Sequence, residues 1–176
     1  MDRKDPKPKA IRIVPARTDD AEAIAAMGWD IWQCCYYPEV LSRDAMDYLW
    51  HRTGNRDRIL DEMARGAVYE WIEQAENRIG FLAYHHFPDQ ARMRLSKLYL
   101  LPEYHRRGIG ARALTHVKTV AEQRGVREIH LYVFKKNRQA VRAYLRAGFI
   151  IAKAEIGDAG NGYYYDDYMM TCCLER

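Results

Sequence analysis

Cysteine is scarce in this 176-residue chain: four residues, in the adjacent pairs Cys34–Cys35 and Cys172–Cys173. That density is too low for a disulfide scaffold. Neighbouring cysteines are poorly placed to bridge one another, and structural zinc sites space their cysteines by two to four residues. A bridge between the pairs and a four-thiolate metal site therefore rank behind buried free thiols in a reducing compartment. No stretch approaches the ~20 apolar residues of a membrane span. The chain does not open on a charged segment followed by an apolar one, so no signal peptide and a cytoplasmic location are expected. Repeats, heptads and low-complexity tracts are missing, which excludes solenoids, coiled coils and collagen. There is no linker either: a polar tail over residues 1–10, with Pro6 and Pro8, precedes one domain over 11–176.

Enough apolar side chains are present for a packed core: 48% of residues are hydrophobic and 12% aromatic. Charge is unevenly spread. Lys and Arg outnumber Asp and Glu fifteen to three over residues 92–153, but stand at twelve to sixteen before them and one to five after them. A basic middle between acidic ends suits an anionic partner, either nucleic acid or a phosphorylated cofactor.

Periodicity divides the chain. Ile11–Val14 reads as a strand, and Thr18-Asp19-Asp20 as the start of a helix carrying Ile24, Met27 and Ile31 at helical spacing. Ser42 opens a second helix, and Arg56–Arg65 forms a third that Gly66 closes. Strands follow at Val68–Gln74, Ile79–Tyr84 and Arg92–Leu100. Residues 108–124 form the clearest helix, with Ala113, Leu114, Val117, Val120 and Ala121 on one face. A strand at Glu128–Val133, a helix capped by Asn137, and strands at Phe149–Ile156 and Tyr163–Leu174 complete the order. This predicts an α/β (α+β) domain: a mixed, mostly antiparallel sheet of six to seven strands flanked by four to five helices.

The densest chemical signal lies between the strand ending at Leu100 and the helix beginning near Ile109. The turn His105-Arg106-Arg107-Gly108-Ile109-Gly110-Ala111 is basic and carries two glycines. The first N–H groups of a helix have no intrahelical partner, and its start carries about half a positive charge. Glycine lets a ligand approach the backbone closely. Together these features make a diphosphate cradle. It is neither a dinucleotide-binding fingerprint, which needs a third glycine, nor a P-loop, which needs Gly-Lys-Ser/Thr.

The segment resembles the GCN5-related N-acetyltransferase (GNAT) family, whose signature is Gln/Arg-x-x-Gly-x-Gly/Ala after a strand like Leu98-Tyr99-Leu100. His105 stands where the family has Gln or Arg. A second block, Leu131 to Phe149, resembles the family's strand followed by Asn, Ala, Tyr and Gly-Phe. The resemblance follows the element order over residues 11–174. It implies acetyl-CoA as cosubstrate, no metal, an amine acceptor, and splayed central strands that hold the thioester in a wedge. It implies that Leu98, Tyr99 and Leu100 bind the pantetheine arm, with the N–H of Leu98 or Leu100 as oxyanion donor. His105 to Ala111 would hold the diphosphate, Asn137 would bind the cofactor, and Tyr144 would protonate the leaving thiolate. Asn137 and Tyr144 are seven residues apart, so both fall on one helix face.

No acid occurs on Arg92–Leu100, the strand where many members carry their base. Glu39, Glu73, His85, His86, Asp166 and Asp167 are the candidates, beside a water chain with no single base. The acidic, tyrosine-rich segment from Tyr163 to Met170 suits a cation, with Asp166 and Asp167 as acceptor residues. Its pattern is weakly similar to that of the family's bacterial polyamine acetyltransferases. A small cationic amine is the expected acceptor. A protein or peptide amine is the alternative, ahead of an acyl-CoA sensor without catalysis. No nucleic acid or membrane is expected as a partner, and a homodimer is left open.

Overall fold

Apolar strands build the sheet, and helical stripes cover both of its faces. The structure is a computed structural model that describes residues 10–174, so the tail read at residues 1–10 lies, apart from Ala10, outside the described residues. The strands are β1 (Ile11–Pro15), β2 (Val68–Gln74), β3 (Asn77–Phe87), β4 (Arg92–Leu100), β5 (Glu128–Phe134), β6 (Ile150–Gly160) and β7 (Tyr163–Cys173). They form one seven-stranded sheet in the order β1-β2-β3-β4-β5-β7-β6. Only β4 and β5 pair in parallel; every other neighbour is antiparallel. The expected mixed sheet is therefore present.

The helices are α1 (Ala21–Cys35), α2 (Arg43–Thr53), α3 (Arg56–Ala64), α4 (Ile109–Gln123) and α5 (Arg138–Arg146). Ser42 Oγ accepts from the Ala45 N–H at 3.3 Å and Asn55 Oδ1 from the Arg58 N–H at 2.8 Å, which fixes the starts of α2 and α3. The start of α1 differs from the sequence reading. Thr18–Asp20 is a separate 3-10 turn, in which Asp20 Oδ2 accepts from the Arg17 N–H at 2.8 Å, and no side chain caps α1.

Helices α4 and α5 bury Ala113, Leu114, Val117 and Val141 against Met93, Leu95, Ile129 and Leu131 on one face. Helices α1 and α3 bury Ile24 and Ile59 against Tyr69, Trp71 and Phe81 on the other. A third cluster, Trp32, Met46, Leu49 and Trp50 with Ala159, joins α1 and α2 to the β6–β7 hairpin. Strand β6 runs to Gly160, four residues beyond the sequence reading. Its far half is held by pairing with Tyr163–Tyr165 rather than by its own glycine-containing sequence. All four cysteines are free, and only Cys172 is buried; Cys34 and Cys173 are exposed, so the expectation of buried thiols fails for them.

Candidate active site

The cleft exists because the parallel pairing of β4 and β5 stops early. It covers Arg92–Glu128, Met93–Ile129 and Arg94–His130, and beyond that the strands part. On its other side β4 stays paired with β3 as far as Gly80–Leu100. Gly80 permits this close pairing, since a Cβ there would lie 2.2 Å from the Tyr99 carbonyl oxygen. The Leu101 N–H donates to the Ile79 carbonyl. Backbone direction alternates along a strand, so the Leu98 and Leu100 N–H groups point away from β3, into the gap. A cleft of about 1500 Å³ opens here and runs from the turn before α4 to the α3 end of β3.

At the α4 end, the chain leaves β4 through a 3-10 turn at Pro102–Tyr104. Gly108 then caps α4 with φ +75°, a left-handed conformation that explains the glycine. No side chain caps this helix, so its first N–H groups remain available. Arg106, Gly108, Gly110 and Ala111 line the cleft. Arg107 does not: its guanidinium sits 5.4 Å from the Tyr104 ring centroid. Ile109 is buried in the core, so only its backbone can serve a ligand. His105 lines the cleft, but its ring is engaged. Nε2 lies 2.8 Å from the Leu100 carbonyl and Nδ1 lies 3.3 Å from Gln139 Nε2. With Nε2–H donating to the carbonyl and Nδ1 accepting from the amide, His105 ties the turn to β4 and α5.

Asn137 caps α5, its Oδ1 accepting from the Ala140 N–H at 3.1 Å, and also faces the cleft. Tyr144 lines the same wall, with its ring edge-on to Phe149 at 5.7 Å. Burial, and after it the nearby Tyr99, push the Tyr144 hydroxyl well above the ordinary phenol range. Tyr36 is a third phenol here, raised by burial and by Tyr99 and Tyr144; the sequence reading passed over it. All three therefore stay protonated at neutral pH.

The far side of the cleft departs most from expectation. Asp166 does not line it: its exposed side chain pairs with Lys135. Glu39, Glu73 and His86 do not line it either, whereas His85 and Asp167 do. Burial, with the charge of Asp166 behind it, raises the Asp167 carboxyl to about 6, and its buried Oδ1 has no hydrogen-bond partner among the described residues. Glu62 of α3 is the other carboxylate in the lining, and the sequence reading did not name it. Its Oε2 lies 2.5 Å from Lys97 Nζ and 2.5 Å from the Tyr69 hydroxyl, while Oε1 accepts from Arg58 at 3.0 Å. Burial alone would raise the Glu62 carboxyl, but Lys97 and Tyr69 outweigh it and hold it below the ordinary value. Burial lowers the Lys97 ammonium, and Glu62 only partly restores it.

This pair supplies a stability prediction. Glu62→Gln leaves a buried ammonium unpaired, which costs about 3 kcal/mol and lowers the melting temperature by about 6–12 °C. Because the native carboxyl is depressed, its contribution is complete above about pH 5 and fades as the pH falls through the native pKa. Thermal melts of both proteins at pH 7 and pH 3.5 should show the gap narrowing at the lower pH. An equal gap at both values would exclude a stabilising carboxylate.

Residues 26–149 match the acetyltransferase (GNAT) family. The chain belongs to this family. An uncharacterized N-acetyltransferase of Mycobacterium tuberculosis strain H37Rv is 37% identical over 83 residues, 47% of this chain and 53% of that protein. The chain thus spans about half the length of that relative. The spermidine N(1)-acetyltransferase of Thermoplasma acidophilum is 22% identical over 154 residues, 85% of this chain and 94% of that protein. Two solved structures share the GNAT fold. PaiA N-acetyltransferase of T. acidophilum, in complex with coenzyme A, has a TM-score of 0.77 at 22% identity, covering 94% of this chain and 99% of that one. The ribosomal-protein-S18-alanine N-acetyltransferase of Escherichia coli has a TM-score of 0.68 at 18% identity, covering 95% and 96%. GNAT acetyltransferases take acetyl-CoA as their cosubstrate, and the PaiA complex holds coenzyme A. Among the described residues no group of three or more His, Cys, Asp or Glu is placed to hold a metal, and no helix is long and apolar enough to cross a membrane.

Proposed function

We propose that this protein transfers the acetyl group of acetyl-CoA to the primary amine of a small molecule. The reading is carried by the wedge between β4 and β5, with an uncapped helix start at one end and a protonated phenol on its wall. The diphosphate rests on the N–H groups of Gly108 to Ala111 with Arg106 beside it. The pantetheine arm pairs with β4, and the thioester carbonyl accepts from the Leu98 or Leu100 N–H. The amine nitrogen attacks the carbonyl carbon, so a C–N bond forms and the C–S bond breaks. Tyr144 gives its proton to the departing thiolate. The attacking amine loses a proton toward Asp167, the one cleft carboxylate without an ion-pair partner among the described residues.

Calorimetry with acetyl-CoA, then thiol release across a panel of primary amines, tests the reading. No acetyl-CoA binding would end it. Asp167 has its own test. A carboxyl raised to about 6 accepts a proton only above that pH, so kcat/KM for the amine should climb between pH 5 and pH 7. The groups acting on Asp167 are Asp166 beside it, Lys135 at the end of β5 and Glu155 on β6. Asp167→Asn should remove the climb and raise the amine KM about tenfold, leaving that for acetyl-CoA unchanged. Asp166→Asn should move the climb to lower pH. A profile in Asp167→Asn that keeps its shape would clear the residue of this role.

The relationship to a spermidine acetyltransferase favours a polyamine acceptor as a second reading. The cleft supports it less well than the sequence did. Glu62 is already neutralised and Asp166 lies outside the lining, while Arg58, Arg65, Arg94 and Lys97 face the acceptor side. A thiol-release comparison of spermidine with monoamines separates the two readings.

A further inference from the structure

We propose that the acceptor carries a carboxylate at the end remote from its amine, and that this carboxylate docks on the Arg94 guanidinium where β4 and β5 part. The proposal rests on reading the cleft as the site of acetyl transfer. Arg94 is the last β4 residue paired with β5, and its side chain turns into the cleft. Its guanidinium lies over the Tyr132 ring, 5.2 Å from the centroid. Stacking on an aromatic face holds the planar group and leaves its N–H edge free, the geometry that takes a carboxylate with two parallel hydrogen bonds.

Two observations indicate that an anion is missing from the protein's own side chains. Arg92, two residues earlier on the same strand, is paired with Glu128, but Arg94 has no carboxylate partner among the described residues. The surroundings add positive charge. Arg65 at the end of α3 also lines the cleft and shares Asp61 with Arg58. The nearby acids are already used: Asp61 pairs with Arg58 and Arg65, and Glu62 with Arg58 and Lys97. The field is visible at His130, whose imidazole is lowered by burial and then by Arg92 and Arg94. A second ammonium at this end would face uncompensated like charge, whereas a carboxylate completes the site.

The strands also set the length of the acceptor. Tyr132 lies two residues from Phe134, which is the register partner of Asp167. Two residues of strand and one inter-strand spacing put the Tyr132 and Asp167 backbone positions about 8 Å apart, and the guanidinium lies over the Tyr132 ring. An extended aliphatic chain of about six bonds covers that distance. The acceptor class is therefore an ω-amino acid or a short peptide-like amino acid, with the amine toward Asp167 and the thioester, and the carboxylate on Arg94.

Three acceptors of one length isolate the far end: 6-aminohexanoate, 6-aminohexanamide and 1,6-diaminohexane. For the wild-type protein kcat/KM should fall in that order, with the carboxylate about tenfold above the amide. In Arg94→Gln the carboxylate-to-amide ratio should fall to about one. Arg92→Gln, altered on the same strand but outside the cleft, should keep the wild-type ratio. Diamine preference in the wild type, or an unchanged ratio in Arg94→Gln, overturns the proposal. So does a protein that binds acetyl-CoA by calorimetry yet acetylates none of the three. Failure to bind acetyl-CoA at all sinks the acetyl-transfer reading, and this proposal with it.

Discussion

Gly110→Glu is expected to reduce acetyl-CoA affinity at least about 100-fold while leaving the melting temperature close to that of the unaltered protein. The two glycines of the turn differ in what they tolerate. Gly108 has φ +75°, so a side chain there strains the backbone, and loss of binding would be confounded with a distorted turn. At Gly110 a Cβ meets only Leu100 Cδ1, at an ordinary 3.8 Å, so the fold accepts a longer side chain. What the new carboxylate meets is the cofactor. The uncapped start of α4 offers N–H donors and a partial positive charge to a diphosphate. A carboxylate about 4 Å from one phosphate charge costs about 4 kcal/mol at an effective dielectric of 20, and screening by water and Arg106 removes part of that. The remainder still corresponds to two or more powers of ten. Titration calorimetry beside a thermal melt reads both quantities. Unchanged affinity would place the diphosphate elsewhere, and a collapsed melt would return Gly110 to a packing role.

Much of this was legible in the sequence, because the local signals are strong. The apolar face of α4, the Asn137 and Ser42 caps and the break at Gly108 depend on residues a few positions apart, and each element falls where its pattern puts it. The cofactor half of the cleft is built from such elements, and Leu98, Tyr99, Leu100, His105, Arg106, Gly108, Gly110, Ala111, Asn137 and Tyr144 line it together. The exceptions, Arg107 and His105, concern side-chain direction. A left-handed Arg106, with φ +59°, precedes Arg107, which stacks on Tyr104, and His105 is held by the Leu100 carbonyl.

The acceptor half was less legible for a different reason. Net charge by segment pointed to an acidic rim, but charge counts do not reveal which acids are already paired. Helix α3 uses Asp61 and Glu62 on its own arginines at three- and four-residue spacing, and Lys97 reaches Glu62 across 35 residues. Lys135 removes Asp166 across 31. What remains without an ion-pair partner on this side of the cleft, among the described residues, is Arg94 and one raised carboxyl, Asp167, not an acidic rim.

Tyr144→Phe should lower kcat by about 10²–10⁴-fold, the usual worth of general acid catalysis, with acetyl-CoA affinity within about threefold of the unaltered protein. Only a hydroxyl is removed, and the ring keeps its edge-on contact with Phe149, so the wall of the cleft is preserved. The phenol is suited to the task because burial and Tyr99 hold it protonated well beyond the pH at which the amine is free to attack. A free thiolate, with an ordinary thiol pKa of ~8.5, is a weaker base than this phenolate, so the hydroxyl acts by hydrogen-bonding the charge that develops on sulfur as the C–S bond breaks. Two consequences separate this role from packing. The unaltered protein should show no fall in kcat up to about pH 10, since neither Tyr144 nor its neighbours Tyr36 and Tyr99 ionises below that value. The variant should recover rate with acetyl thioesters of more acidic thiols, which leave without a proton. If Tyr144→Phe turns over at the original rate across the pH range, Tyr144 is a core aromatic and the leaving group takes its proton from water. If it loses rate equally with every thioester, the hydroxyl positions the cofactor rather than protonating it.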